Sequence, residues 1–164
     1  MRLIEPTDDM KIAFSYMVED YKQVQELRYQ ETFEAYMDKV ERYSKGENLK
    51  TGHVPSITFW LIDDNEMILG VSRLRQYLVS HLEKEGGHIG YDVPPPLRRK
   101  GYGSMLLKLT LRRAKELGMD KVLVTCDRDN IGSSKVIENN GGKLENEVIS
   151  DSSGKKILRY WIEL

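Results

Sequence analysis

The sequence predicts an α/β (α+β) domain in which helices surround one mixed central sheet. Three observations predict it. Apolar residues at helical spacing alternate along the chain with short β-branched runs. The order of these runs is strand, two helices, two hairpin strands, strand, helix, strand, helix, two strands, which suits helices packed around a sheet. The 164 residues, 40% hydrophobic and 31% charged, suffice for one well-buried core without disulfide or metal staples.

Each element has its own signature. After the short apolar Leu3-Ile4, the residues Phe14, Met17, Val18, Tyr21 and Val24 recur at helical spacing, and Phe33, Tyr36, Met37 and Val40 repeat it. Two helices follow, ending before the polar stretch from Ser44 to Gly52. Ile57 to Ile62 and Met67 to Leu74 are β-rich runs around Asp63-Asp64-Asn65-Glu66, a hairpin pattern. His88 to Val93 is a further strand, stopped by Pro94-Pro95-Pro96. Tyr102 to Leu117 reads as a helix with Leu107, Leu111, Ala114 and Leu117 toward the core and Gly118 as its stop. Lys121 to Cys126 is a continuous β-branched run, as in a strand buried on both faces. A short helix spans about Gly132 to Glu138. Two strands, Lys143 to Ile149 and Lys155 to Glu163, close the chain around a Ser-rich turn.

Composition excludes several functions. The net charge is −1, too balanced for a protein that coats nucleic acid or an anionic membrane. A lone cysteine, Cys126, excludes a disulfide scaffold and reads as an inert core thiol. His53, His81 and His88 lack ligand spacing and Cys companions, so no metal is expected. Trp60 and Trp161 lie in strand patterns and read as packing residues. No secretory leader pattern and no membrane-length apolar run is present, so the expectation is one cytoplasmic domain over residues 1–164. The acceptor and the oligomeric state have no sequence signature.

The balanced charge is unevenly placed: residues 97–121 carry 8 bases and 2 acids. At the head of that segment stands Leu97-Arg98-Arg99-Lys100-Gly101-Tyr102-Gly103-Ser104. The prolines before it have no N–H for a sheet ladder, so the chain must leave the strand extended. Gly101 and Gly103 lack Cβ atoms where the backbone enters a helix, and a helix start offers unpaired N–H donors with a partial positive charge. Arg98, Arg99 and Lys100 add charge at the same place. These features point to a phosphate-bearing ligand. The nucleoside-triphosphate loop is excluded because no Gly-Lys is followed by Ser or Thr. The dinucleotide fingerprint is excluded because Leu106 stands where its third glycine belongs.

With its Arg-x-x-Gly-x-Gly between a strand and an amphipathic helix, and with Asn130, a short helix and Gly141 after the next buried strand, the chain resembles the GNAT superfamily of acyl-CoA-dependent N-acetyltransferases over residues 57–164. The resemblance implies a mostly antiparallel sheet with helices on both faces and two central parallel strands that splay apart. It implies that the amides of the loop, Arg98 through Ser104, bind the pyrophosphate of acetyl-CoA as cosubstrate. Backbone groups of Tyr91 and Val93 would pair with the pantetheine arm and polarise the acetyl carbonyl, while Asn130 and nearby Ser133 face the arm from the other side. The implied reaction is direct acetyl transfer to a primary amine on a small molecule, peptide or protein. Candidate bases are His88 and Asp92. The tyrosine that many members use to protonate the leaving thiolate falls at Ile137, which cannot donate, leaving Ser133, Ser134, a water or unaided departure. That departure keeps open a non-catalytic acyl-CoA-binding or sensing module of the same fold.

Overall fold

Strands β1 (Arg2–Ile4), β2 (Ile57–Ile62), β3 (Ile68–Leu74) and β4 (Ile89–Asp92) form an antiparallel sheet in that order. A second antiparallel sheet has β7 (Lys156–Glu163) between β5 (Lys121–Asp127) and β6 (Lys143–Ile149). The structure, a computed structural model, describes residues 1–164.

The central sheet, expected to splay between two strands, is accordingly divided into two sheets that meet at one seam between β4 and β5. There the His88 amide donates to the Leu123 carbonyl at 2.7 Å, and the Leu123 amide donates to His88 Nδ1 at 2.8 Å. No other backbone hydrogen bond joins β4 to β5. The two strands part beyond this point because β4 ends after four residues and runs into Pro94, which has no N–H to offer. The close approach itself depends on Gly87. Its φ is +63°, and a Cβ there would lie 2.4 Å from the Leu123 carbonyl oxygen.

The period-two alternation of β2 distributes its side chains to two helical layers. Trp60 and Ile62 face helices α1 (Lys11–Gln23) and α2 (Phe33–Lys45), where they join Phe14, Met17 and Tyr36. The Phe14 and Tyr36 rings lie 4.8 Å apart, and the Trp60 indole N–H, buried with them, donates to the Tyr36 hydroxyl at 3.1 Å. Each such side chain contributes roughly 1.5–3 kcal/mol through burial. Thr32 caps α2 by accepting from the Ala35 amide at 3.2 Å, and Gly46 ends it at φ +70°.

Phe59 and Leu61 face the opposite layer. There α4 (Tyr102–Glu116) and α5 (Ile131–Asn139) set Leu107, Leu111, Ala114 and Ile137 with Phe59 against Val122, Val124 and Ile162, while Leu106 packs with Leu61 and Leu69. Leu117 is not part of this core: it follows the end of α4 and is 39% exposed.

Two local features depart from the sequence pattern. A short helix α3 (Ser80–Lys84) lies in a segment with no helical periodicity. The second and third prolines do not continue extended but enter a 3-10 turn over Pro95–Leu97. Gly87→Ala is expected to lower stability by about 2 kcal/mol or more, because the residue must be both left-handed and in contact with a backbone carbonyl. Urea denaturation of the variant beside the wild type measures it.

Candidate active site

From Arg99 through Ser104, no backbone amide donates to any acceptor in the protein. The first helical amide to find a partner is that of Met105, to the Gly101 carbonyl at 3.1 Å. Arg99 at φ +62° and Gly101 at φ +84° turn this stretch into the head of α4. A row of free donors at a helix start is an anion cradle. The two glycines serve it differently. Gly101 takes a left-handed conformation with open space around its missing Cβ. Gly103 permits close packing, since a Cβ there would meet Val136 at 3.3 Å and Val93 at 3.8 Å.

The cationic side chains also differ from one another. Arg98 is not free for a phosphate. Its Nη1 and Nη2 donate to the Glu26 carboxylate at 2.7 and 2.8 Å, and its Nε donates to the Val93 carbonyl at 3.0 Å. The Glu26 carboxyl is held below the usual range mainly by its hydrogen bond from Arg98. Arg98 therefore ties the loop after α1 to the exit of β4. Arg99 and Lys100 are exposed and make no ion pair; they are the two side chains able to close on a bound anion.

The seam opens onto backbone groups. The Arg75 amide donates to the His88 carbonyl at 2.8 Å, which sets the phase of the β3–β4 ladder. Gly90 and Asp92 consequently spend their backbone groups on β3, and those of Tyr91 and Val93 face the gap toward β5. The Val93 amide donates to nothing in the protein. The Tyr91 side chain is half-buried, with its hydroxyl donating to the Ser133 carbonyl at 3.4 Å. Burial pushes its pKa up to about 12, so it is a neutral phenol at physiological pH. Across the gap Asn130 is the N-cap of α5 and accepts from the Ser133 amide at 3.0 Å. One lone pair of its oxygen is thereby used, and its amide nitrogen has no partner in the protein.

The two candidate bases have other partners. His88 Nδ1 accepts from the Leu123 amide, so the neutral ring carries its proton on Nε2 and keeps no lone pair for a substrate. Burial first, and the neighbouring Arg75 second, lower its pKa from 6.5. Asp92 is buried beneath the loop that joins α1 to α2. Its Oδ1 accepts from the hydroxyls of Tyr21 and Tyr29, both at 2.7 Å, and its Oδ2 from Arg73 at 3.2 Å, with Arg28 at 3.7 Å. The carboxylate is the hub of a closed network, which also holds the phenols of Tyr21 and Tyr29 well above their usual pKa, by burial and then by its charge. Ile137 is fully buried in the core and touches no opening. Cys126 is buried, with Sγ 3.5 Å from Ser134 Oγ, and burial raises its pKa.

Sequence reasoning missed Tyr21, Tyr29, Arg73 and Glu26. Tyr21 sits among core residues of α1, Arg73 among those of β3 and Tyr29 in the loop between α1 and α2, and no local motif marks them. Only the period-two spacing of Val71 and Arg73 in β3 and Arg75 just past its end hinted at a polar pocket there. That pocket, of about 290 Å³, lies on the α2 side of the first sheet, lined among others by Tyr36, Lys39, Tyr43, His53, Arg73 and Arg75. Arg73 is the register partner of Gly90, so the pocket abuts the strand that edges the seam.

The family profile described as an acetyltransferase (GNAT) domain matches residues 1–143. The chain belongs to the GNAT acetyltransferase family. The match includes the N-terminal strand and helices as well as the loop. No curated protein matches by sequence. Among solved structures, Mycobacterium smegmatis RimJ in complex with CoA-disulfide aligns with TM-score 0.73 at 13% identity, over 98% of this chain and 80% of that one. The microcin C7 self-immunity acetyltransferase MccE, in complex with acetyl-CoA and AMP, aligns with TM-score 0.72 at 13% identity over 99% and 91%. A chimera of Vibrio cholerae spermidine N-acetyltransferase SpeG and hSSAT gives 0.66, 13%, 99% and 96%. At these identities the likeness is one of fold.

The depressed His88 pKa means that the neutral ring is the form that folds best. Its contribution to stability is complete above pH 6.5, the ordinary value, and is lost as pH falls through the lower folded value. His88→Asn, which offers a non-titrating acceptor to the Leu123 amide, is expected to flatten that acid-side loss in denaturation midpoints measured from pH 5 to 8.

Proposed function

We propose that this GNAT-family protein is an N-acetyltransferase that moves an acetyl group from acetyl-CoA directly to a primary amine. The observation that carries the reading is the run of unpartnered amides from Arg99 through Ser104 beside the opening between β4 and β5. The amides, with Arg99 and Lys100, take the pyrophosphate. The pantetheine arm lies in the opening against Tyr91 and Val93, with Asn130 and Ser133 opposite. The thioester carbonyl meets the Val93 amide, which then stabilises the tetrahedral oxyanion.

The amine nitrogen attacks the acetyl carbon, the carbon–sulfur bond breaks, and the thiolate of CoA leaves. The nitrogen must be neutral first. With His88 and Asp92 committed elsewhere, its proton passes to water in the open pocket. Ser133, whose hydroxyl has no partner in the protein, and solvent are the donors left for the thiolate. The scheme itself calls on no metal. The buried free thiol of Cys126 suits a reducing, cytoplasmic compartment, and no helix is long and apolar enough to cross a membrane.

The burial of Ile137 favours one second reading, an acyl-CoA-binding module without turnover. Thiol release separates the two: acetyl-CoA with a panel of amines, peptides and protein N-termini liberates CoA in the first and not in the second. Gly101→Val forces a β-branched residue to φ +84°. It is expected to weaken acetyl-CoA binding about tenfold or more in calorimetry while the fold persists, since nothing occupies the space around it.

A further inference from the structure

The pocket on the α2 side of β3 contains a charge that the protein does not balance. Of its cationic lining residues, Lys39 is ion-paired with Glu31 and Arg73 with Asp92. Arg75 has no carboxylate partner. Its Nη1 donates to the Gly87 carbonyl at 3.0 Å, and its remaining guanidinium donors are unspent. Burial, with the charge of Arg73 beside it, lowers its pKa. No Asp or Glu lines the pocket; its other polar residues include Tyr43, His53, His81 and the buried Ser56 and Thr58. The Tyr43 hydroxyl is engaged with His53 Nδ1.

A half-buried guanidinium without a counter-charge is costly unless a ligand supplies one, and its fork geometry suits an oxyanion. Position connects this site to the reaction. The Arg75 amide donates to the His88 carbonyl at the start of β4, and beside it Gly90 presents no side chain, with nothing within 4 Å of where its Cβ would be. An acceptor held by Arg75 thus has open space toward β4 and the seam.

We propose that Arg75 binds an oxyanion on the acceptor, so that the substrate is an amine that also carries a carboxylate or a phosphate-type group. The inference deepens the acetyltransferase reading and rests on it for the word acceptor; the anion site itself does not need turnover. Two measurements separate these. In the first, CoA release is followed with glycine, aminomethylphosphonate and methylamine. An anionic amine is expected to show kcat/KM about tenfold or more above that of methylamine, and the better of the first two identifies carboxylate or phosphonate. In the second, calorimetry compares N-acetylglycine with N-acetylglycinamide on the CoA-bound protein. N-acetylglycine is expected to bind about tenfold more tightly. Arg75→Gln is expected to abolish that preference and Arg75→Lys to retain part of it, with acetyl-CoA affinity unchanged in both. Equal affinity of the two probes, no binding of either, or a preference undiminished in Arg75→Gln overturns the proposal. Should Arg75→Gln fail to fold, a full wild-type preference in Arg75→Lys overturns it as well, since an ammonium cannot copy the fork. Anion preference without CoA release from any amine leaves the anion site standing and removes the acetyltransferase reading.

Discussion

A pair of hydrogen bonds between His88 and Leu123 is the constraint on which the rest of the molecule is arranged. Had β4 and β5 paired along their length, the two sheets would be one and there would be no opening for a ligand. Had they not touched at all, the two halves would share only helix contacts. The histidine resolves this by acting twice, with its own amide and with its ring, so that one residue stands in for a ladder. Gly87 makes the approach possible, and the proline run ends it. The backbone groups of Tyr91 and the amide of Val93 are left facing a gap, and in a folded protein such groups stay free only where a ligand or water satisfies them.

A second network gives the opening its two sides. Asp92 is the last residue of β4, and its carboxylate gathers hydroxyls from α1 and from the following loop and a guanidinium from β3. Arg98, a few residues later, returns to the same loop through Glu26. The strand that borders the seam is therefore fastened to the helical layer on one side, and on the other its exit at Val93 lies beside Gly103 of α4, which also packs close to Val136 of α5. Removing Asp92 would leave Arg73, half-buried, with only the Tyr29 hydroxyl as partner, an uncompensated charge of the kind that destabilises a fold. These charged groups thus read as scaffolding first, which is why residues with the right chemistry for a base turn out to lack a free lone pair.

Much of this was legible in the sequence, and the pattern of what was not is physical. The long helices and the strands follow from periodicity because one face of each meets a core. The anion cradle follows from Arg-x-x-Gly-x-Gly because its determinants are local: a positive φ, a helix start and adjacent charge. The splayed pair of strands was legible only through the family resemblance and not from the residues themselves, since a buried β-branched strand such as Val122 to Val124 looks the same whether its neighbour pairs fully or at one point. Short α3 was hidden because five residues carry no period. The tyrosine partners of Asp92 and the glutamate partner of Arg98 lie 63 to 72 residues away, beyond any motif. Arg98 illustrates the difference most clearly: its place in the motif is local, but its ion pair is not.

The same distinction governs the two anion-binding ends assigned to the molecule. At the loop, positive character comes from main-chain dipoles and exposed side chains clustered in sequence, so the excess of bases in residues 97–121 announces it. At the pocket it comes from a solitary guanidinium whose neighbours are already neutralised, so no stretch of sequence is basic there and the acids of the surrounding segments even suggest the opposite preference. Charge averaged along a chain measures what solvent sees at a distance. What a small ligand meets is the charge left over after pairing, and around Arg75 that remainder is positive.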